Sequence, residues 1–236
     1  MTSVHIEGVD RYAVLFHEVP GVEPDEAGLK VDDFQTLGVI TAHMHLHSRS
    51  WSRPESFTRF AWDWEHSLGG QPRWGRWQDG FGVGATELEV FGRAAELIRR
   101  RLEAYGTALD RFGLVHADLR LANLLVDNGN VTVIDFDDSG FSWFMYDFGA
   151  AVSFIEHDPR LAEWRDAWLQ GYRSVAPLEP EHEAMLPTFV MLRRLLLIAW
   201  MGSHSHSREC QTLGPTYTKD SVALAHRYIA SDGAAI

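Results

Sequence analysis

The chain has 236 residues, 45% of them hydrophobic and 23% charged, enough for one large or two small soluble domains with a well-filled core. Its formal net charge of -12 excludes a role built on clustered Lys and Arg, which is how nucleic acid and anionic membranes are bound. A single cysteine, Cys210, excludes an internal disulfide framework and a Cys-rich metal site, and the first ten residues lack the basic-then-apolar pattern of a signal peptide, so the cytoplasm is the expected compartment.

In chain order, Tyr12–Val19 (YAVLFHEV) is β-branched and aromatic and ends at Pro20-Gly21, which predicts one strand running into a turn. From Asp32 the period becomes helical: Asp32 or Asp33 supplies the cap, and Phe34, Leu37, Ile40, Thr41 and Met44 recur every three or four residues. Ser48 to Gly84 is a loop-rich insertion with one short helix, carrying Trp51, Trp62, Trp64, Trp74 and Trp77 among Pro54, Pro72 and several glycines. Thr86 to Tyr105 returns to helical spacing through Leu88, Phe91, Ala95, Ile98 and Leu102, and a second strand pair and three further helices are expected after it. The longest apolar stretch, Thr188 to Met201, is broken by Arg193 and Arg194 and falls short of the ~20 residues that span a bilayer, so it reads as a buried helix.

Residues 114–135 read LVHADLRLANLLVDNGNVTVID. Asn128-Gly129 is the dipeptide favoured in two-residue hairpin turns, because both central positions need positive φ. A turn centred there sets Asn123 opposite Ile134 and beside Asp135, with opposed Cα atoms roughly 4.5 to 5.5 Å apart. A carboxylate and an amide oxygen thus converge at the open end of the hairpin. Two such oxygens, with room left for water and phosphate oxygens, suit a Mg²⁺ shared with a nucleotide. Asp118, on the loop entering the hairpin, is placed to accept a proton from an attacking hydroxyl or to orient it.

His116, Asp118 and Asn123 form H-x-D-x-x-x-x-N, and Val133 to Phe136 form V-I-D-F. These motifs resemble those of the aminoglycoside phosphotransferase and choline kinase family. The resemblance implies an α+β, protein-kinase-like fold, with residues 1–20 as the remnant of an N-terminal lobe and 21–236 as a mostly helical catalytic lobe. It implies transfer of the ATP γ-phosphoryl group to a hydroxyl of a small molecule. Asp118 would be the catalytic Asp, His116 a brace of its loop, and Asn123 and Asp135 the Mg²⁺ ligands. Asp147, in F-M-Y-D-F-G, resembles the family's helix Asp that holds the catalytic loop by hydrogen bonds. Adenine is expected at the hinge, Phe16, His17, Glu18 and Val19. The D-F-D-D extension, with Asp137 and Asp138, is similar to a subgroup of stress-response protein kinases and homoserine-type kinases; Asp137 is a candidate for the metal, and both are equally readable as solvated loop carboxylates, Asp138 the more so.

The family's glycine-rich turn and strand Lys are missing from this sequence, whose lysines are Lys30 and Lys219. Gly80-Phe81-Gly82-Val83-Gly84 mimics such a turn without its following strand. Three readings follow: a small-molecule kinase, a Ser/Thr protein kinase of the stress-response kind, or a lobe-deficient fragment that binds a partner and turns over little ATP. An unpaired strand at the start would favour a homodimer. His43 and His47 share a helical face at a zinc-like spacing, but packing is the plainer role of these histidines. The tryptophans could wall a cationic or sugar-like substrate with Asp63, Glu65 or Asp79, or simply fill the core. Arg120 could touch a transferred phosphate or form a surface ion pair.

Overall fold

A computed structural model describes residues 2–24 and 29–236. The chain begins with a hairpin, β1 (Thr2–Ile6) and β2 (Val9–Ala13), turning at Glu7-Gly8 where both residues have positive φ. The strand expected over Tyr12–Val19 therefore lies earlier. Its ladder runs out at the Thr2–Ala13 pair, and residues 14–20, with no strand beside them, carry no regular structure. Their apolar side chains face solvent, Leu15 at 98% exposure. Backbone pairing resumes only at Val22, which exchanges hydrogen bonds with Val126.

Helix α1 (Val31–Ser50) starts one turn's reach before the expected cap. Lys30 occupies the cap position, and Asp33 serves from inside the first turn, its carboxylate accepting the Lys30 N–H at 2.8 Å. The buried face of α1 contains Phe34, Leu37, Gly38, Thr41, Ala42 and His45, a narrower stripe than Ile40 and Met44 suggested. It packs on α5 (Leu161–Val175). Glycine is obligatory on both sides of this crossing: a Cβ at Gly38 would lie 2.1 Å from the Trp168 carbonyl oxygen, and one at Gly171 would lie 1.9 Å from that of Gln35.

The insertion contains α2 (Trp64–Ser67) and a single 3-10 turn at Trp77–Asp79 before α3 (Ala85–Tyr105). Trp62 and Trp77 are core residues, and Asp63 is committed to capping α2, accepting the His66 N–H at 2.9 Å. The glycine-rich mimic is pinned by the Thr218 hydroxyl, which donates to the Phe81 carbonyl at 2.6 Å. Next come β3 (Phe112–Val115), β4 (Leu124–Asp127), β5 (Asn130–Val133) and β6 (Gly140–Trp143). β4 and β5 form the expected hairpin in the expected register, Leu124 opposite Val133. β3 pairs with β6, a second ladder that no local turn signal announced.

Five helices follow where three were expected: α4 (Tyr146–Ala151), α5, α6 (Pro180–Glu183), α7 (Leu186–Ser203) and α8 (Arg208–Ala230). α7 is apolar on all sides except for Arg193 and Arg194 near its middle, and it is buried almost throughout, as a helix with so little polar surface must be. With the short α6 before it, Pro180–Ser203 is long and apolar enough to cross a membrane by length and composition, but 89% of its most apolar window is buried by the rest of the chain.

The α1–α5 crossing gives a stability prediction. Gly38→Ala forces two helix backbones apart and should cost roughly 2–3 kcal/mol, a typical overpacking penalty. It will be read as a lower urea midpoint at unchanged m value; an unaltered midpoint would mean that the crossing has slack.

Candidate active site

The site is built where β3 ends, β4 begins and β5 ends. His116 leaves β3 buried, its Nε2 3.2 Å from the Ile134 carbonyl oxygen and its Nδ1 accepting the Asp118 N–H at 3.2 Å. Its ring packs on Phe136 with centroids 4.6 Å apart. The loop is thereby tied to the strand that delivers Asp135. Between His116 and Asp118, Ala117 is fully buried and has φ of 68°, a left-handed conformation that costs a non-glycine residue about 1–2 kcal/mol.

The carboxylate of Asp147, fully buried on α4, holds that conformation. It accepts the Ala117 N–H at 2.7 Å and the His116 N–H at 3.2 Å. His45 of α1 places Nε2 3.0 Å from the same carboxylate and Nδ1 3.0 Å from the Tyr172 hydroxyl. A carboxylate only accepts, so His45 Nε2 carries a proton toward Asp147, and the Tyr172 hydroxyl is the partner of Nδ1. Burial raises the Tyr172 phenol to about 12, which keeps it a donor. His45 thus has the structural part expected of these histidines, while His43 and His47 line a groove of about 680 Å³ beside His116 and Phe136. Asp118, Asn123 and Asp135 lie outside that groove.

Asn123 is buried in a 3-10 turn, Leu121–Asn123. Its Nδ2 donates to the Asp118 carbonyl at 2.8 Å and to Asp118 Oδ2 at 2.7 Å. Its own carbonyl accepts the Ile134 N–H at 2.9 Å, the cross-strand pairing that the hairpin register required. With Nδ2 spent, and no hydrogen bond to Oδ1 among the described residues, the amide oxygen is left for another partner. Asp135 is exposed, with φ of 61°. This left-handed kink ends the strand and turns the carboxylate out of the ladder, where Oδ1 accepts the Asp137 N–H at 3.3 Å. An amide oxygen and an exposed carboxylate at one hairpin end are a hard-oxygen donor set that fits Mg²⁺.

Asp137 is exposed, while Asp138 is half-buried, contrary to the solvated reading favoured for it. Burial, and then the Asp118 charge, raise the Asp138 carboxyl above its ordinary range. Arg120 lies 3.4 Å from Asp118 Oδ2, an ion pair within the site. Phe16, His17, Glu18 and Val19 are exposed in the irregular stretch after β2. Away from this site, Asp110, Glu181 and His182 come close together, but Arg111 pairs with both carboxylates and His182 is bonded to Tyr105.

One major participant escaped the sequence reading. Arg193 of α7 reaches Asp118 Oδ1 in a close ion pair and also donates to the Ala117 carbonyl, 3.2 Å, and to Ser153 Oγ, 2.9 Å. A signal existed. Consecutive arginines inside an apolar run are buried charges, and buried charges require partners.

A model of the phosphotransferase enzyme family matches residues 5–186. Among curated proteins, amicoumacin kinase of Bacillus subtilis (strain 168) is 29% identical over 194 residues, covering 78% of this chain and 54% of the relative. Homoserine kinase of Gluconobacter oxydans (strain 621H) is 29% identical over 191 residues, 76% of this chain and 55% of the relative. The chain spans about half the length of these curated relatives. Among solved structures, a microcompartment-associated aminopropanol kinase superposes with a TM-score of 0.90 at 60% identity, covering 99% of this chain and 73% of that one. An amicoumacin kinase in complex with AMP-PNP, Ca²⁺ and Ami shares the fold at 22% identity, with a TM-score of 0.66 over 87% of this chain and 63% of that one.

The Asp147 anchor can be tested without turnover. Asp147→Asn removes one acceptor oxygen and turns an NH₂ toward existing donors, which should cost about 2 kcal/mol or more. Hydrogen exchange of the His116 and Ala117 amides should accelerate selectively. Protection there equal to wild type would show that the loop holds itself.

Proposed function

Because the chain belongs to the phosphotransferase enzyme family, we propose that it carries the hydroxyl- and metal-handling centre of an ATP-dependent kinase acting on a small amino alcohol. The observation that carries this reading is the Asn123 Nδ2 bond to Asp118 Oδ2 at the hairpin end that Asp135 follows, with Asp118 engaged at both carboxylate oxygens. A carboxylate offers about four lone-pair positions. Among the described residues, Asn123 and Arg120 engage Oδ2 and Arg193 engages Oδ1, which leaves a second position on Oδ1 for an incoming hydroxyl.

In this reading Asp118 orients the acceptor hydroxyl and takes its proton as the new O–P bond forms and the bond to the departing ADP oxygen breaks. Asn123 Oδ1 and Asp135 would hold Mg²⁺, which when bound neutralises phosphate charge. His116 and Asp147 fix the loop so that no reorganisation is needed at the moment of transfer. An ammonium group on the acceptor is supported by the acidic surroundings, Asp118, Asp135, Asp137 and Asp138, and by the 60% identical aminopropanol kinase.

Transfer from Mg-ATP to 1-amino-2-propanol, followed by ³¹P NMR, should fall at least about a hundredfold in Asp118→Asn. Asp135→Ala should raise the Mg²⁺ concentration needed for transfer, and 1,2-propanediol, which lacks the ammonium, should be a far poorer acceptor. Equal use of the diol would overturn the amino-alcohol assignment. Transfer that survives in Asp118→Asn would overturn the site.

A further inference from the structure

Asp118 stands close enough to the proposed metal donor Asn123 to become a ligand itself. It is a carboxylate hydrogen-bonded directly to Asn123, whose oxygen is proposed to bind the metal. Asp135, Asp137 and Asp138 are near enough that the charges of Asp118, Asp135 and Asp137 all act on Asp138. A divalent cation in such a cluster gathers carboxylates, since each adds a charged oxygen at little geometric cost. An Asp118 bound to the metal would lose its free position for a hydroxyl.

We infer that Arg193 is a positioning residue that withholds Asp118 from the metal and keeps it turned toward the acceptor hydroxyl; this rests on the kinase reading above. The guanidinium is 1% exposed. Three neutral acceptors fix its planar fork: the Ala117 carbonyl at 3.2 Å, the Tyr146 hydroxyl at 3.3 Å and Ser153 Oγ at 2.9 Å, while its face lies 5.2 Å from the centre of Trp74. Among the described residues, Asp118 is the one carboxylate within ion-pair distance of it. A guanidinium held at its other donors cannot follow a carboxylate that swings away, so the pair fixes where Oδ1 sits. Its charge also lowers the cluster's attraction for a cation, with little screening because the group is buried.

Arg194, its neighbour in sequence, shows the contrast. It too is buried, but its partners are Glu156, Ser221 and the Tyr217 carbonyl, which belong to the junction with α8 and not to the carboxylate cluster. A merely structural Arg193 would behave like Arg194, affecting stability and leaving metal affinity alone.

The test is a double-mutant cycle on Mn²⁺ binding in the absence of nucleotide, followed by electron paramagnetic resonance on the whole chain. Arg193→Met should tighten Mn²⁺ binding by about tenfold or more, because Asp118 is released as a ligand and loses its counter-charge. Asp118→Asn/Arg193→Met should return to the wild-type affinity, and Arg193→Lys, which keeps the charge, should stay within about threefold of it. Should Arg193→Met fail to fold, Arg193→Gln carries the same expectation with donors retained. Unchanged affinity in the folded single variant, or tightening that persists in the double variant, overturns the proposal. Turnover in the same proteins separates the two readings: wild-type chain without any Mg-ATP-dependent transfer counts against the kinase assignment, while the Mn²⁺ cycle decides whether Arg193 withholds Asp118.

Discussion

The buried carboxylate of Asp147 is the interaction on which the site depends. Burying a carboxylate costs several kcal/mol unless donors replace its water, and here they come from two distant stretches of chain. Two are amides of the loop that carries Asp118, and the third is an imidazole from α1, itself held by a hydroxyl from α5. Satisfying this one group therefore fixes α1, α4, α5 and the loop against each other. The geometry also explains how Ala117 remains left-handed. A short amide bond to a buried carboxylate, of the order of 1.5–3 kcal/mol, exceeds the conformational cost and leaves Asp118 aimed by the backbone before it. The glycines at the α1–α5 crossing belong to the same logic, since His45 reaches both partners only because the two helices approach to backbone contact.

Helix α7 solves a related problem in the opposite charge. Its surface is apolar throughout except for two adjacent arginines, which point to different places because successive residues on a helix diverge. Arg193 finds Asp118; Arg194 finds Glu156, to which the Tyr217 hydroxyl also donates at 3.0 Å. Neither pair is an efficient way to stabilise a core, because apolar side chains of similar volume often do as well. At Arg194 the gain is in fixing how α8 lies on α7. At Arg193 the charge sits against Asp118, so the core helix fixes the carboxylate of a loop remote from it in sequence.

Local rules read the hairpin correctly because the information is local. Asn128-Gly129 sets the turn, the turn sets the register, and the register alone puts Asn123 against Ile134 and Asp135 at the open end. Helices α1 and α3 were legible through their apolar period, and the H-x-D-x-x-x-x-N spacing located the loop. What escaped depends on partners distant in sequence. β3 pairs with β6 across the whole hairpin, and neither strand has a turn signal facing the other. The N-terminal hairpin turns at Glu7-Gly8, a weaker sign than Asn-Gly, so its second strand was placed too late. Asp138 was read as solvated because its sequence neighbours are polar, yet the Trp62 indole donates to its carbonyl at 2.8 Å and helps to bury it. Arg193 was visible as an anomaly in an apolar run, but a sequence does not say which carboxylate it meets.

The contacts that shape the site share one further property. The side chains and amides that fix Asp118, Asn123 and Asp135 come from His45, His116, Ala117, Ile134, Asp147 and Arg193, all within α1 or later in the chain. The described residues before α1 also meet the hairpin: Val22 pairs with Val126, and Pro24 and Leu29 line a small cavity with Leu121 and Leu124. In the proposed kinase, positioning of the phosphates is a task separate from positioning of the hydroxyl. In the proposed reading, selection of the acceptor rests on the buried anchors of Asp147 and Arg193, because they fix the carboxylate that would meet its hydroxyl.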